Sequence, residues 1–405
     1  MLRGDREVWI TGIGLVSSLG DGNVTHSDIL TGRRSGVPSV DGTAFAPYPV
    51  HRLAQLDLSK QIPKNSDQRQ MEGWQKLGVY AAGLALEDAG IKGHPDLLDR
   101  TDLVVAAGSG ERDTAVDCKV LETSGTPANS PLRANEILPT ALRPTLFLAQ
   151  LSNLLAGNIS IVHHVTGSSR TFMGEEMAGL AAIENAFRRV AAGQSDVCLA
   201  GGALNAERED LLLSYELGRN LWRQPYARIE DRAPEGGGFV PGSVGAFLVF
   251  EQREHAEARA VRPYARLTAV ETDRAHRRSN AAANPLAQVI SRVERIVTPS
   301  TAAVFSGASG VAPVTASELA FLKSLKSCGH IDYAWTYGNL LGHSVEAHFP
   351  AGIALAALAL RARRVSLALV GERSTSEDAS SVDRIVVTAV GPCRGEGLAL
   401  LEPIV

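Results

Sequence analysis

Short Val/Ile/Leu runs that end in glycine or alanine alternate along the chain with segments whose apolar residues fall three and four apart. Runs of the first kind are how strands buried on both faces of a sheet read, and the second spacing is that of a helix with one apolar face. The pattern predicts strands over residues 8–12, 103–107, 197–200, 246–251, 302–305 and 384–390. It predicts helices over residues 75–89, 179–192, 317–325 and 350–361. In the first of these helices Leu77, Val79, Tyr80, Leu84 and Leu86 supply the apolar positions, with Glu87 and Asp88 on another side. Faces of this kind pack on sheets, so the class is α/β.

Three stretches, about 31–71, 113–142 and 271–284, show no period and are rich in Pro, Ser, Asp and Arg. They read as long excursions, either lids and interface elements or plain solvated loops. The strand–helix alternation restarts after Glu251, which suggests two halves of similar plan, 1–251 and 252–405.

Composition narrows the function classes. A chain of 405 residues has room for two to three domain-sized units or one merged core. With 44% hydrophobic and 21% charged residues it is an ordinary folded protein. Forty Lys+Arg against 44 Asp+Glu, net charge -4 without blocks of like charge, leaves no electrostatic footprint for nucleic acid or an anionic membrane. Cys118, Cys198, Cys328 and Cys393 lie far apart without CxxC spacing, so neither a metal site nor a disulfide framework is signalled and a reducing cytoplasm is expected. The first twenty residues carry no export pattern. The longest apolar stretch, 351–360, is about half the length a membrane span needs and reads as a buried core helix. The string GIGLVSSLG lacks the third glycine and the acidic partner of a dinucleotide site.

Six segments carry a family resemblance: VWITGIGLVSSLG (8–20), VYAAGLALEDAGI (79–91), GSSRTFMGEEMAGLAAIENAF (167–187), QSDVCLAGG (194–202), GFVPGSVGAFLVFE (238–251) and GHSVEAHFPAG (342–352). In this order and spacing they resemble the landmarks of the β-ketoacyl-acyl-carrier-protein synthases, condensing enzymes of the thiolase-like fold. The resemblance implies a five-layered α-β-α-β-α fold with two stacked mixed sheets and a dimer. It also implies acyl groups delivered on the phosphopantetheine arm of an acyl carrier protein, with no tightly bound cofactor. In active members of the family a Cys at the start of a buried helix carries the acyl chain, and two His residues promote decarboxylation and stabilise the enolate. A helix N-terminus lowers a thiol pKa and offers N–H groups to an oxyanion.

The resemblance places Glu176 at the nucleophile position. A carboxylate there forms only a mixed anhydride with an acyl group, so stable loading is not expected. Glu176 then either mimics an acyl-enzyme or acts as a base, or it caps a helix and fills a buried polar slot. Ser306 takes the place of the first His and cannot do its proton chemistry. His343 keeps the second His position, as a thioester ligand or as a satisfied buried side chain, while Gly338 replaces the usual lysine. At the oxyanion and gate position stand Pro392, which has no N–H, and Cys393. Cys393 is expected near a pocket mouth and Cys198 inside the core.

Two classes of function follow from the resemblance. One is a catalytically degenerate subunit of the chain-length-factor type, which pairs with an active ketosynthase. Segments such as KNSDQRQMEGWQKLG and LRPTLFLAQLSNLLAGNIS resemble an alphaproteobacterial subgroup associated with very long acyl chains for lipid A. The other class is enzymatic: a malonyl-carrier decarboxylase using His343, or a self-sufficient synthase homodimer. Arg69, Arg112 and Arg394 are candidates for carrier docking, with solvated surface arginines as the alternative.

Overall fold

The computed structural model describes residues 6–124, 130–142, 150–232, 235–276, 288–290, 303–370 and 379–404. Five strands come from the first half: β1 (Val8–Ser17), β2 (Thr101–Ala106), β3 (Ser169–Phe172), β4 (Val197–Leu204) and β5 (Val244–Gln252). Five come from the second: β6 (Ala265–His276), β7 (Ala303–Ser306), β8 (Tyr333–Thr336), β9 (Ile385–Val390) and β10 (Arg394–Glu402). They lie side by side as β3-β2-β4-β5-β1-β6-β10-β9-β7-β8, and the two-residue strand Gly20–Asp21 folds back on β1. Read from the outer edge inward, both halves follow the order third, second, fourth, fifth, first strand. The pairing senses repeat as well: β2 is parallel to β3 and β4 as β7 is to β8 and β9, and the remaining neighbours are antiparallel.

The two sheets expected from the sequence differ from the structure in one respect, because their hydrogen bonds join into a single ladder. The seam is the pairing of β1 with β6, limited to Val8↔Leu267, Trp9↔Arg266 and Ile10↔Ala265.

Helices α1 (Gly73–Asp88), α2 (Leu154–His163), α3 (Glu176–Ala191), α4 (Val314–Ser327) and α5 (His348–Ala362) fill the layers. Alternation along the strands sorts side chains between them. Leu103 and Val105 pack outward with Leu77, Tyr80, Leu155 and Ile159 of α1 and α2. Val104 points the other way, into a central layer shared by Leu180 and Ile183 of α3, Ile353 and Leu358 of α5, and Phe305, Val387 and Leu401 of the second half. Leu322 of α4 covers Val304, Val386 and Leu400 on the far side. The result is the five-layered α-β-α-β-α arrangement.

Residues His348 to Leu360 of α5 are all buried, which explains an apolar pattern on every face of that helix. The stretch Val345–Ala362 has the length and composition to cross a membrane, but 89% of it is buried inside the protein, as befits a core helix. Between α1 and β1 the backbones approach so closely that a Cβ on Gly14 would sit 1.9 Å from the Ala81 carbonyl oxygen.

Several elements escape the sequence pattern. α3 and α4 each begin three residues before their predicted starts, since their first turns carry polar or small residues. β3 and β8 have four residues each, and β6 carries Arg266, Glu271, Asp273 and Arg274, so none offers a run of apolar residues. The stretch read as an aperiodic excursion over 113–142 contains helices Thr114–Ser124 and Ser130–Ala141, the second with Pro139 inside it, and residues 125–129 lie outside the described residues. The 271–284 excursion opens as the end of β6, and its residues 277–284 lie outside the described residues, as does Ala302 of the predicted 302–305 strand.

Candidate functional site

Two strained turns deliver the central side chains. The chain enters α3 through Gly174 (φ 127) and Glu175, which has φ 57 and ψ -138 without being glycine. A conformation of this kind costs on the order of 1–3 kcal/mol and persists only where packing enforces it. It turns Glu176 into the first residue of a buried helix, where the free amides favour negative charge. The second turn follows Gly342 (φ 76), whose missing Cβ leaves room for His51 and Gly242. The His343 amide donates to the Val240 carbonyl at 2.8 Å, and Val345 (φ 42) bends the chain into α5. A β-branched residue at positive φ is a genuine outlier.

The turns converge. His343 Nε2 and Glu176 Oε1 share a hydrogen bond of 2.7 Å, with His343 2% and Glu176 4% exposed. The other Glu176 oxygen, Oε2, lies 3.1 Å from where a Cβ of Gly391 would stand, so the loop before β10 closes over the carboxylate. Phe239 packs on the His343 ring at 5.0 Å, and His348 packs on it at 4.5 Å from the start of α5. Tyr337 in turn packs on His348 at 4.5 Å and donates its hydroxyl to the His348 carbonyl at 3.1 Å.

The remaining positions singled out in the sequence fall into two groups. Ser306, at the end of β7, donates its hydroxyl to Glu318 of α4 at 2.8 Å, and Thr388 donates to the same carboxylate oxygen at 2.9 Å. Its chemistry is therefore spent on tying β7 to the outer layer. Gly338 opens the short helix Gly338–Leu341, where a Cβ would meet Ile229 and approach His348. Pro392 is half-buried and Cys393 exposed, in a loop pinned by the Gly391 amide donating to the Gly395 carbonyl at 2.8 Å. Cys198 is buried and Cys118 and Cys328 are exposed. Arg69 is exposed, Arg112 is held by Asp117 at 2.6 Å, and an Arg394 nitrogen comes within 3.9 Å of a Cβ placed on Gly174.

A family model described as "Beta-ketoacyl synthase, N-terminal domain" matches residues 5–256. The chain belongs to the β-ketoacyl synthase family. The 3-oxoacyl-[acyl-carrier-protein] synthase 2 of Vibrio cholerae serotype O1 is 26% identical over 268 residues, 64% of this chain and 61% of that protein. The match thus spans about three fifths of that curated relative's length. Among solved structures, a chain of the ishigamide ketosynthase/chain length factor superposes with a TM-score of 0.77 at 17% identity, covering 99% of this chain and 100% of that one. A chain of a type II polyketide acyl-carrier protein in complex with its ketosynthase, bound to the hexaketide, gives 0.71 at 16% identity, covering 99% of this chain and 100% of that one. The structural likenesses establish the thiolase-like fold of this family member.

Two acidic and basic groups of this family member escaped the sequence reading. Glu346, between His343 and the second imidazole, is buried, and one of its oxygens, Oε2, has no hydrogen-bond partner among the described residues. Burial pushes its carboxyl up to about 7, with the charges of Glu176 and Glu175 adding to the shift and Arg208 opposing it. Burial and the adjacent Glu176 also raise Glu175. His348 is held well below the ordinary imidazole value by burial and then by His343. Both residues lie in GHSVEAHFPAG, where a carboxylate and a second imidazole within five residues of His343 were the available signal. Among the described residues no cluster of three or more His, Cys, Asp or Glu is arranged to hold a metal ion. What the site offers is acid–base and hydrogen-bonding chemistry: a carboxylate joined to an imidazole, a second imidazole beside it, and two further carboxyls.

Proposed function

We propose that this β-ketoacyl synthase family member is a subunit that handles carrier-borne acyl chains without an acyl-enzyme of its own, paired with an active ketosynthase as a chain length factor is. The observation that carries the reading is the Glu176–His343 hydrogen bond at the head of α3. The group at the helix start is a carboxylate already engaged by the imidazole, so no thiolate is available to take an acyl chain. The phosphopantetheine arm of an acyl carrier protein would bring the substrate. The likeness to a ketosynthase/chain length factor and to a ketosynthase bound by its carrier protein supports both partners. Strand β3 lies at one end of the ladder with Ser169 and Arg170 exposed, which supports a subunit pairing there, with a ketosynthase or with a second copy. The very-long-chain acyl products of lipid A are the finer form of this reading.

The test is reconstitution. The chain alone, incubated with acyl- and malonyl-carrier protein, is expected to show neither a covalent adduct by intact-mass spectrometry nor an elongated product. Added to an active ketosynthase with which it co-purifies, it is expected to change the length of the acyl product. Elongation by the purified chain alone through a trapped adduct would overturn the proposal.

A further inference from the structure

The net charge of -4 conceals a local surplus of the opposite sign. Helix Gly22–Leu30 packs along α5 and against the strand Val365–Ser366 that follows α5. The chain leaves both helices through arginines: Arg33 and Arg34 after the first, Arg361, Arg363 and Arg364 around the end of α5. All five are exposed. Further contacts hold the two groups together. The Arg361 guanidinium lies 4.3 Å over the Tyr264 ring, and the Asn23 side-chain amide, at the start of helix Gly22–Leu30, donates to the Tyr264 hydroxyl at 3.3 Å. Past the end of that helix, a Cβ on Gly36 would sit 2.5 Å from the Leu369 side chain, just beyond the strand. The helix has nine residues, about 14 Å of length. The five charges thus fall within about two screening lengths at physiological salt and act together on an approaching surface.

Three nearby carboxylates are each engaged. Asp28 pairs with Arg33 at 2.9 Å, in a contact too exposed to hold it firmly. Asp88, beside Arg361, accepts from the Ile13 amide at 2.8 Å and the Tyr264 hydroxyl at 2.9 Å. Asp21 accepts from the Tyr80 hydroxyl at 2.6 Å and lies 3.9 Å from Lys60. The helix dipole accounts for Arg361 in the last turn of α5, but Arg33 and Arg34 lie two and three residues past the capping Thr31.

The chemistry picks the partner. All five cations are arginines, whose planar guanidinium pairs bidentately with phosphate. The exposed apolar residues at the two ends of the helix are Val24 and Val37, 75% and 71% exposed. A protein partner needs a desolvated apolar centre, which two separated valines do not make. A lipid surface responds to summed charge and admits shallow apolar side chains.

We propose that this arginine patch seats the protein on a bilayer surface rich in anionic phospholipid, by pairing with the lipid phosphates. His348, which packs on His343, opens the fifteen residues of α5 at their other end. That places the candidate site about 22 Å from the patch. The seating therefore does not depend on which reaction the site performs.

The test is co-sedimentation of the full-length protein with vesicles of phosphatidylcholine, alone or mixed with phosphatidylglycerol. An arginine near an anionic surface is worth about fivefold in partitioning, so the mixed vesicles are expected to bind at least about a hundredfold more tightly. High sodium chloride is expected to abolish the preference. The fourfold variant Arg33→Gln, Arg34→Gln, Arg363→Gln, Arg364→Gln is expected to lose it. Arg219→Gln with Arg223→Gln, beside the segment that pairs with Phe239 at the site end, is expected to keep it. Should the fourfold variant not fold by circular dichroism, Arg33→Gln with Arg34→Gln alone is expected to cost about twentyfold. Absence of any preference in the wild type, or a preference that these patch variants retain, overturns the proposal. So does release from the vesicles by polyglutamate at matched charge, which would make the patch a docking site for an acidic protein instead. The reading of the site stands under each of these outcomes.

Discussion

His343 Nε2 lies 2.7 Å from Glu176 Oε1, although 167 residues separate the two in the chain. Both are buried, so the contact is made where water cannot substitute for either partner. Breaking a buried pair by removing one member typically costs about 3–5 kcal/mol, since the other is left uncompensated. Glu176→Ala is expected to lose stability in that range by urea unfolding, and Glu176→Gln, which keeps a hydrogen bond, to lose less than about 1 kcal/mol. Equal stability for the alanine variant and wild type would mean that the pair contributes nothing to the fold.

The Glu346 carboxyl gives a pH signature. Its folded pKa, about 7, lies above the ordinary 4.5, so the folded state holds a proton that the unfolded chain releases between those values. Stability from this group is present below pH 4.5 and is lost as pH rises through 7. The loss is on the order of 3 kcal/mol at most above pH 7. Glu346→Gln removes the titration, and its unfolding free energy relative to wild type should climb between pH 5 and pH 8. A difference that stays flat over that range contradicts the shift.

Three buried histidines act in the opposite sense. Burial lowers His26 and His163 from 6.5 to about 4 and His51 to about 3. Each is neutral inside, with His26 between Ser17 and the Gly22 carbonyl and His163 bound to the Val79 carbonyl. The unfolded chain gains protons at these sites before the folded one does, so their stability is whole above pH 6.5 and drains away as pH falls through about 4. Acid unfolding monitored by circular dichroism should take up protons in that window, and His26→Gln should make the transition shallower. An unchanged proton uptake would argue against a neutral buried His26.

Thiol reactivity offers a check on the central layer. Cys118, Cys328 and Cys393 are exposed, whereas Cys198 is buried and its thiol pKa is raised by that burial. A colorimetric thiol titration of native protein is expected to modify the first three quickly and Cys198 only after denaturation. Rapid labelling at Cys198, identified by peptide mass, would contradict the packing of β4.

The periodic elements were legible in the sequence because their side chains report their surroundings. The α1 face and the cores of β2, β4, β5 and β9 are apolar wherever they touch a neighbouring layer. Charged β6 and the short strands β3 and β8 were not legible, since they pair through backbone groups that no side-chain pattern records. At the site, Glu176 and His343 were picked out by resemblance to a motif, and the structure brings them into contact. Glu346 and His348 were missed because the turn at Val345, a strained conformation unpredictable from a valine, swings both into the cluster. Ser306, read from the sequence as a replacement unable to do the proton chemistry of the first His, has its hydroxyl engaged with Glu318.

The central layer draws side chains from Val8 in the first strand to Leu401 in the last, while among the described residues β1 and β6 pair at three positions and the isolated bridges Gly237↔Val311 and Pro241↔His343 add to the seam. The halves are thus joined by a shared apolar layer and by backbone hydrogen bonds such as those from His343 to Val240 and from Gly238 to Gly310. A fragment cut after residue 256, where the family match stops, would leave β5, with Leu248 and Phe250, without its α5 neighbour. Neither lobe is then a folding unit by itself, and the whole molecule should melt in a single cooperative step.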